Sequence, residues 1–125
     1  MSISSPTQGT YPYPNEPTWS RKEKSIARAA FDGALGRELH ELIQQTKQMA
    51  SQISQPSDLW DLERRLTQRR KEIDRKYEYR ASRLKDVLGR LLYESRITEE
   101  ELRGLSEDKM ESIRAFAKFL EDSAA

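Results

Sequence analysis

The sequence has no cysteine among its 125 residues. That absence excludes disulfides, thiolate nucleophiles and thiolate metal sites together. It has one histidine, His40, and the nearby acids Glu38 and Glu41 are not at the three- or four-residue spacing that shares a helix face. Glycine-rich phosphate loops, nucleophile elbows and HExxH-type spacings are also missing. The expectation is a protein that is not an enzyme and holds neither cofactor nor metal. No apolar run approaches the roughly 20 residues of a membrane span, and the first residues lack the basic-then-apolar layout of a signal peptide, so a cytoplasmic protein is expected. Neither sign of charge dominates: 22 Lys plus Arg face 21 Asp plus Glu. No global field would hold the chain on nucleic acid or an anionic membrane, so any partner has to be recognised locally.

What is present is helix signal. Charged residues make up 34% and hydrophobic residues 35% of the chain, which suits one soluble domain. Residues 1–17 carry four of the five prolines and little aliphatic material, and read as a flexible arm with Tyr11 and Tyr13 between prolines. From residue 18 to 125 the pattern is that of a single helical domain. Ser20 and Glu23 have capping-box spacing, and the series Ile26, Ala30, Phe31, Leu35, Leu39, Leu42, Thr46, Met49 and Ile53 follows in steps that settle to three and four. Gly33 and Gly36 weaken this helix and leave room for close approach of a neighbour. Pro56 marks its stop, and Ser57 is placed to cap a second helix.

The second helix is expected to run from Asp58 to Glu94. Its stripe is apolar at both ends, through Leu59, Leu62 and Leu66 and then Leu84, Val87 and Leu91, but carries Arg69 and Arg80 in the middle. About 37 residues make a rod of roughly 55 Å, too long for a chain of this size to cover. A second copy is the simplest source of apolar contact. The expected architecture is all-α, a long two-helix stem (about 18–80) with a small helical head (about 81–121), dimerising through the stem at Leu35, Leu39, Leu42, Leu59, Leu62 and Leu66. In the head, Thr98 and Glu101 box a short helix that stops at Gly104. Ser106 caps a last one, whose Met110, Ile113, Phe116, Ala117 and Leu120 should close on Leu84, Leu88, Leu91 and Leu92.

The middle of the second helix is locally basic, with Arg64, Arg65, Arg69, Arg70, Lys71, Arg75, Lys76 and Arg80 outnumbering the acids. Four-apart pairs such as Asp61 with Arg65 and Glu72 with Lys76 suit a solvent-bridging helix. The interleaved acids argue against nucleic acid. Trp60 lies just off the leucine line, where a partly exposed tryptophan beside arginines has the make-up of a protein-binding hot spot.

In this stretch Asp58, Leu59, Trp60, Leu62, Leu66, Arg70, Ile73, Asp74, Lys76 and Tyr77 resemble the hallmark helix of the cyanobacterial fluorescence recovery proteins. The similarity extends to "TWSRKEK", to the first helix and to "SEDKMESIRAFAKFL". The resemblance implies a helical dimer without cofactor, which binds the photoactivated orange carotenoid protein and speeds its return to the resting form. It also places Trp60 and Arg70 at functional positions and Leu59 at a dimer-interface position. Four positions depart from the family pattern. Glu63, Arg64 and Arg65 stand where the family usually has His-Asp-Phe, which replaces an acid with a base on the expected contact face, and Asp86 replaces an aromatic residue of the head. Those changes leave open a divergent helical adaptor with a different protein partner.

Overall fold

The computed structural model describes residues 18–124, so the arm and the readings made on it lie outside the described residues. Among the described residues four α-helices follow one another: α1 (Arg21–Ser51), α2 (Pro56–Lys76), α3 (Leu84–Tyr93) and α4 (Glu107–Ala124), with a 3₁₀ turn at Glu100–Leu102. The fold is all-α.

Helix α1 starts where its box places it. The Ser20 N–H donates to Glu23 Oε1 at 3.1 Å and the Glu23 N–H donates to Ser20 Oγ at 3.1 Å. The boundary between α1 and α2 differs from expectation, because Pro56 opens α2 rather than merely ending α1. A proline at the first helical position costs nothing, since that N–H has no helical partner anyway. The cap comes from Asp58, not Ser57: its carboxylate accepts from the Ser54 and Gln55 N–H groups at 3.1 and 3.2 Å.

The expected rod from Asp58 to Glu94 is broken. Helix α2 ends at Lys76 and helix resumes only at Leu84. Two aromatic contacts explain the break. Tyr77 and Tyr79 both meet Phe31 of α1 edge-on, with ring centroids 5.4 and 5.1 Å away. In a helix, residues two apart point to nearly opposite sides, whereas in an opened chain they return to the same side. Both tyrosines reach one ring only if the helix stops. Arg28 adds a cation over the Tyr79 ring at 4.4 Å. Nothing in the local sequence breaks the helix, as no proline or glycine occurs between Ser57 and Leu88.

The core lies where the first half of α1 meets α3, α4 and the turn between them. Trp19, Ala27, Phe31 and Ala34 share one buried cluster with Leu84, Leu88, Leu91, Leu102 and Ile113. The α3–α4 pair is the most closely packed. Glycine serves there and not where the sequence suggests. A Cβ on Gly36 would meet nothing within 4 Å and one on Gly33 only the Arg37 side chain, whereas one on Gly89 would stand 3.0 Å from the Ile113 carbonyl and from Phe116. Gly89 lets α3 and α4 touch. Gly104, at φ +108°, takes a left-handed turn after the 3₁₀ segment, and a Cβ there would strike Ile26.

Two glycine substitutions should therefore act in opposite directions. Gly36→Ala gains helix propensity and should raise stability by about 0.5–1 kcal/mol. Gly89→Ala carries the same propensity gain but overpacks the α3–α4 contact, for a net loss of about 1–2 kcal/mol. Urea denaturation followed by circular dichroism measures both, and equal signs would contradict the packing described.

Candidate functional site: a bent stem with an uncovered apolar face

Beyond the core, α1 and α2 continue as a pair. Leu35, Leu39 and Leu42 of α1 face Leu66 and Ile73 of α2 across an open groove of about 470 Å³, with Arg70 beside them. Little covers this surface. Leu39, Leu59 and Leu66 are exposed, and Ile43, which the sequence reading passed over, is 51% exposed. Leu62 is half-buried, and it and Leu59 lie about one and two turns before Leu66 on α2, outside the groove. Large apolar side chains open to water over a shared face mark a surface that another molecule can cover.

Trp60, Glu63 and Arg64 are three and four apart on α2, so they share one helix face, and Arg70 follows on that face seven residues after Glu63. All four are exposed, and Trp60 is 58% exposed. Glu63 accepts from the Thr67 hydroxyl and Arg64 pairs with Asp61. Asp86 belongs to another part of the molecule: it is in the first turn of α3, beyond the break, 3.6 Å from Arg83. The expected four-apart pairs are not the ones formed. Asp61 takes Arg64 instead of Arg65, and Glu72 takes Arg69 at 2.9 Å, because Lys76 is drawn elsewhere.

Lys76 turns to Glu38, the residue that sequence reasoning missed. Glu38 is only 1% exposed on α1, yet its carboxylate receives Arg69 at 3.0 Å, Lys76 at 2.7 Å, Arg96 at 3.2 Å and the Tyr77 hydroxyl at 2.8 Å. A signal was present in the spacing. Glu38 stands four residues after Ala34 and four before Leu42 on the inward face of α1, and Arg69 occupies an inward position of α2. Each looks misplaced alone, and together they are partners. Burial pushes the Glu38 carboxyl up, but hydrogen bonds from Lys76, Tyr77 and Arg69 outweigh it and hold the group at about 2. Burial and the bond to Glu38 push the Tyr77 phenol well above its ordinary range. A second buried pair ties the start of α1 to α4. Glu23, drawn down to about 2 first by the Ser20 N–H, then against burial by the Ser106 N–H and Lys109, sits 3.1 Å from the Lys109 ammonium.

Among the described residues no group of three or more histidine, aspartate or glutamate side chains is placed to hold a metal ion, and no helix is long and apolar enough to cross a membrane. The family described as "Photoprotection regulator fluorescence recovery protein" matches residues 19–117. The chain belongs to the fluorescence recovery protein family. Its sequence is 42% identical to the fluorescence recovery protein of Synechocystis sp. over 103 residues, covering 82% of this chain and 94% of that one. Two solved structures agree with the fold. The Fremyella diplosiphon fluorescence recovery protein superposes with a TM-score of 0.77 at 39% identity, and the Synechocystis protein with 0.77 at 42%. Each comparison covers 81% of this chain and 99% of the other. As a member of the fluorescence recovery protein family, the chain falls in a class of photoprotection regulators.

The Glu38 cluster should show in acid unfolding. Its carboxyl lies lower in the folded state than in the unfolded chain, so its stabilisation is complete above the unfolded value near 4.5 and disappears as pH falls towards about 2. At pH 7 Glu38→Gln should lose on the order of 3 kcal/mol, because three cations lose their shared counter-charge. Urea denaturation across pH 7 to 2 should show the gap to the unaltered protein shrinking below pH 5, and a gap independent of pH would refute the assignment.

Proposed function

We propose that the protein is a non-enzymatic regulator that works as a homodimer, binds the photoactivated orange carotenoid protein and speeds its return to the resting form. The observation carrying this reading is the family match over 19–117 on a chain whose stem leaves its apolar face open beside Trp60. The proposed organisation is one helical domain from 18 to 125, a stem to about residue 80 and a head from there to about 121, held in the cytoplasm. Leu35, Leu39, Leu42, Leu59, Leu62 and Leu66 form the proposed seam between two copies. The broken α2 changes the reason for this seam: α2 alone is about 32 Å long, so the need for a twin comes from exposed leucines and not from rod length.

Trp60, Glu63, Arg64, Arg70 and Asp86 are the proposed contacts to the carotenoid-binding partner. The carotenoid is the partner's own, and this chain needs no cofactor. A scaffold that binds the partner's domains more tightly near their closed arrangement shifts them towards it and shortens the search for reassociation.

A divergent adaptor with another protein partner is the second reading. The exposed pair of Arg64 with Asp61, and Asp86 beside Arg83, favour it, because Arg64 reverses the sign of the family's acid and Asp86 puts an acid where the family has an aromatic residue. Dark recovery of photoactivated orange carotenoid protein, followed by absorbance with and without this protein, separates the two. Accelerated recovery supports the first, and unchanged kinetics overturns it.

Leu59 is 48% exposed, so Leu59→Glu should leave the single chain folded. In a dimer seam the same change places an unpaired charge against apolar surface, at a cost of several kcal/mol. Analytical ultracentrifugation should find monomers with unchanged helicity. A variant that still sediments as a dimer refutes this placement of the seam.

A further inference from the structure

The basic excess of α2 has a second destination, away from the apolar groove. Where α2 ends and α3 returns, the two helices enclose a wide-mouthed cleft of about 560 Å³ with Glu38 in its wall. We propose that this cleft binds a small polyphosphate-type anion, a ligand carrying adjacent phosphoryl groups and no large apolar part.

Every residue lining the cleft is charged, with six cations against three carboxylates. The carboxylates are already engaged. Glu38 is held as described, Glu94 by Lys76 at 2.7 Å and Arg96 at 3.3 Å, and Glu72 by Arg69 at 2.9 Å. Those contacts occupy Arg69, Lys76 and Arg96 and leave three arginines facing the same space. Arg75 in the last turn of α2 and Arg90 in the last turn of α3 form no ion pair among the described residues. Arg83, just before α3, stands 3.8 Å from Glu78 and 3.6 Å from Asp86, longer than a charge-assisted hydrogen bond.

Three under-used guanidinium forks reach one concave site from separate points of the chain. Such forks match phosphoryl oxygens two at a time. The volume falls in the small-ligand range. Because no aromatic or aliphatic side chain lines the cleft, there is nothing to stack a base or bury an acyl chain, so charge density selects the ligand. A bound anion would touch both sides of the helix break and strengthen it against opening.

Inorganic pyrophosphate titrated calorimetrically into the full-length protein is the test. The expected result is saturable binding of one anion per chain, weakened by at least about tenfold in Arg75→Gln and in Arg90→Gln, each of which removes a charged hydrogen-bonding partner. Lys47→Gln, at the far end of α1, should leave the affinity unchanged. Pyrophosphate should also raise the melting temperature of the unaltered protein and of Lys47→Gln, but not of Arg90→Gln. Neither arginine holds the fold through an ion pair, so helicity and melting without ligand should match the unaltered protein. Absence of saturable binding overturns the proposal. So does equal weakening by Lys47→Gln, or equal affinity for citrate or a glutamate-rich peptide, which would make the cleft a general carboxylate or acidic-protein surface.

Discussion

From α1, Glu38 gathers groups of α2, of the segment after α2 and of the turn after α3 onto one carboxylate that water hardly reaches. A carboxylate so placed is stable only if its partners stay. Arg69 and Lys76 hold the end of α2 against α1, Tyr77 is held where the helix stops, and Arg96 brings in the turn beyond α3. The bend between stem and head is therefore an electrostatic structure as much as a packed one. The neighbouring Phe31, receiving Tyr77 and Tyr79 edge-on, supplies the apolar half of the same joint.

This joint separates two kinds of surface. On the core side, alanines of α1 and leucines of α3 pack closely with Ile113 and Met110 of α4, and Gly89 leaves room for α4 against α3. On the stem side, leucines of similar size stay open to water. A chain that can bury its apolar residues this well in one half does not leave them exposed in the other for want of packing ability. The difference fits a stem face that another molecule can cover.

Much of the fold was legible in the residues. The Ser20, Thr98 and Ser106 caps, the all-α class, the closure of α4 on α3 and the family all follow from local spacing and motif. The α2–α3 break was not legible, because the stretch between them has no helix breaker and only contacts with Phe31 and Glu38, more than 35 residues earlier in the chain, make the open form better than helix. Glu38 escaped notice for a related reason: a single acid on an inward face looks like an interruption until its cations arrive from other helices.

What the sequence by itself determined is therefore what neighbours within a turn or two set: the helical class, the capping boxes at Ser20 and Thr98, the apolar face of α4, and that charge is balanced overall yet locally basic in α2. The tertiary structure alone decided where the long helix breaks, which acid is buried, which glycine lies in a close contact and which leucines remain open. Those outcomes depend on free energies shared between groups far apart in the chain, and local propensity yields wherever such contacts outweigh it.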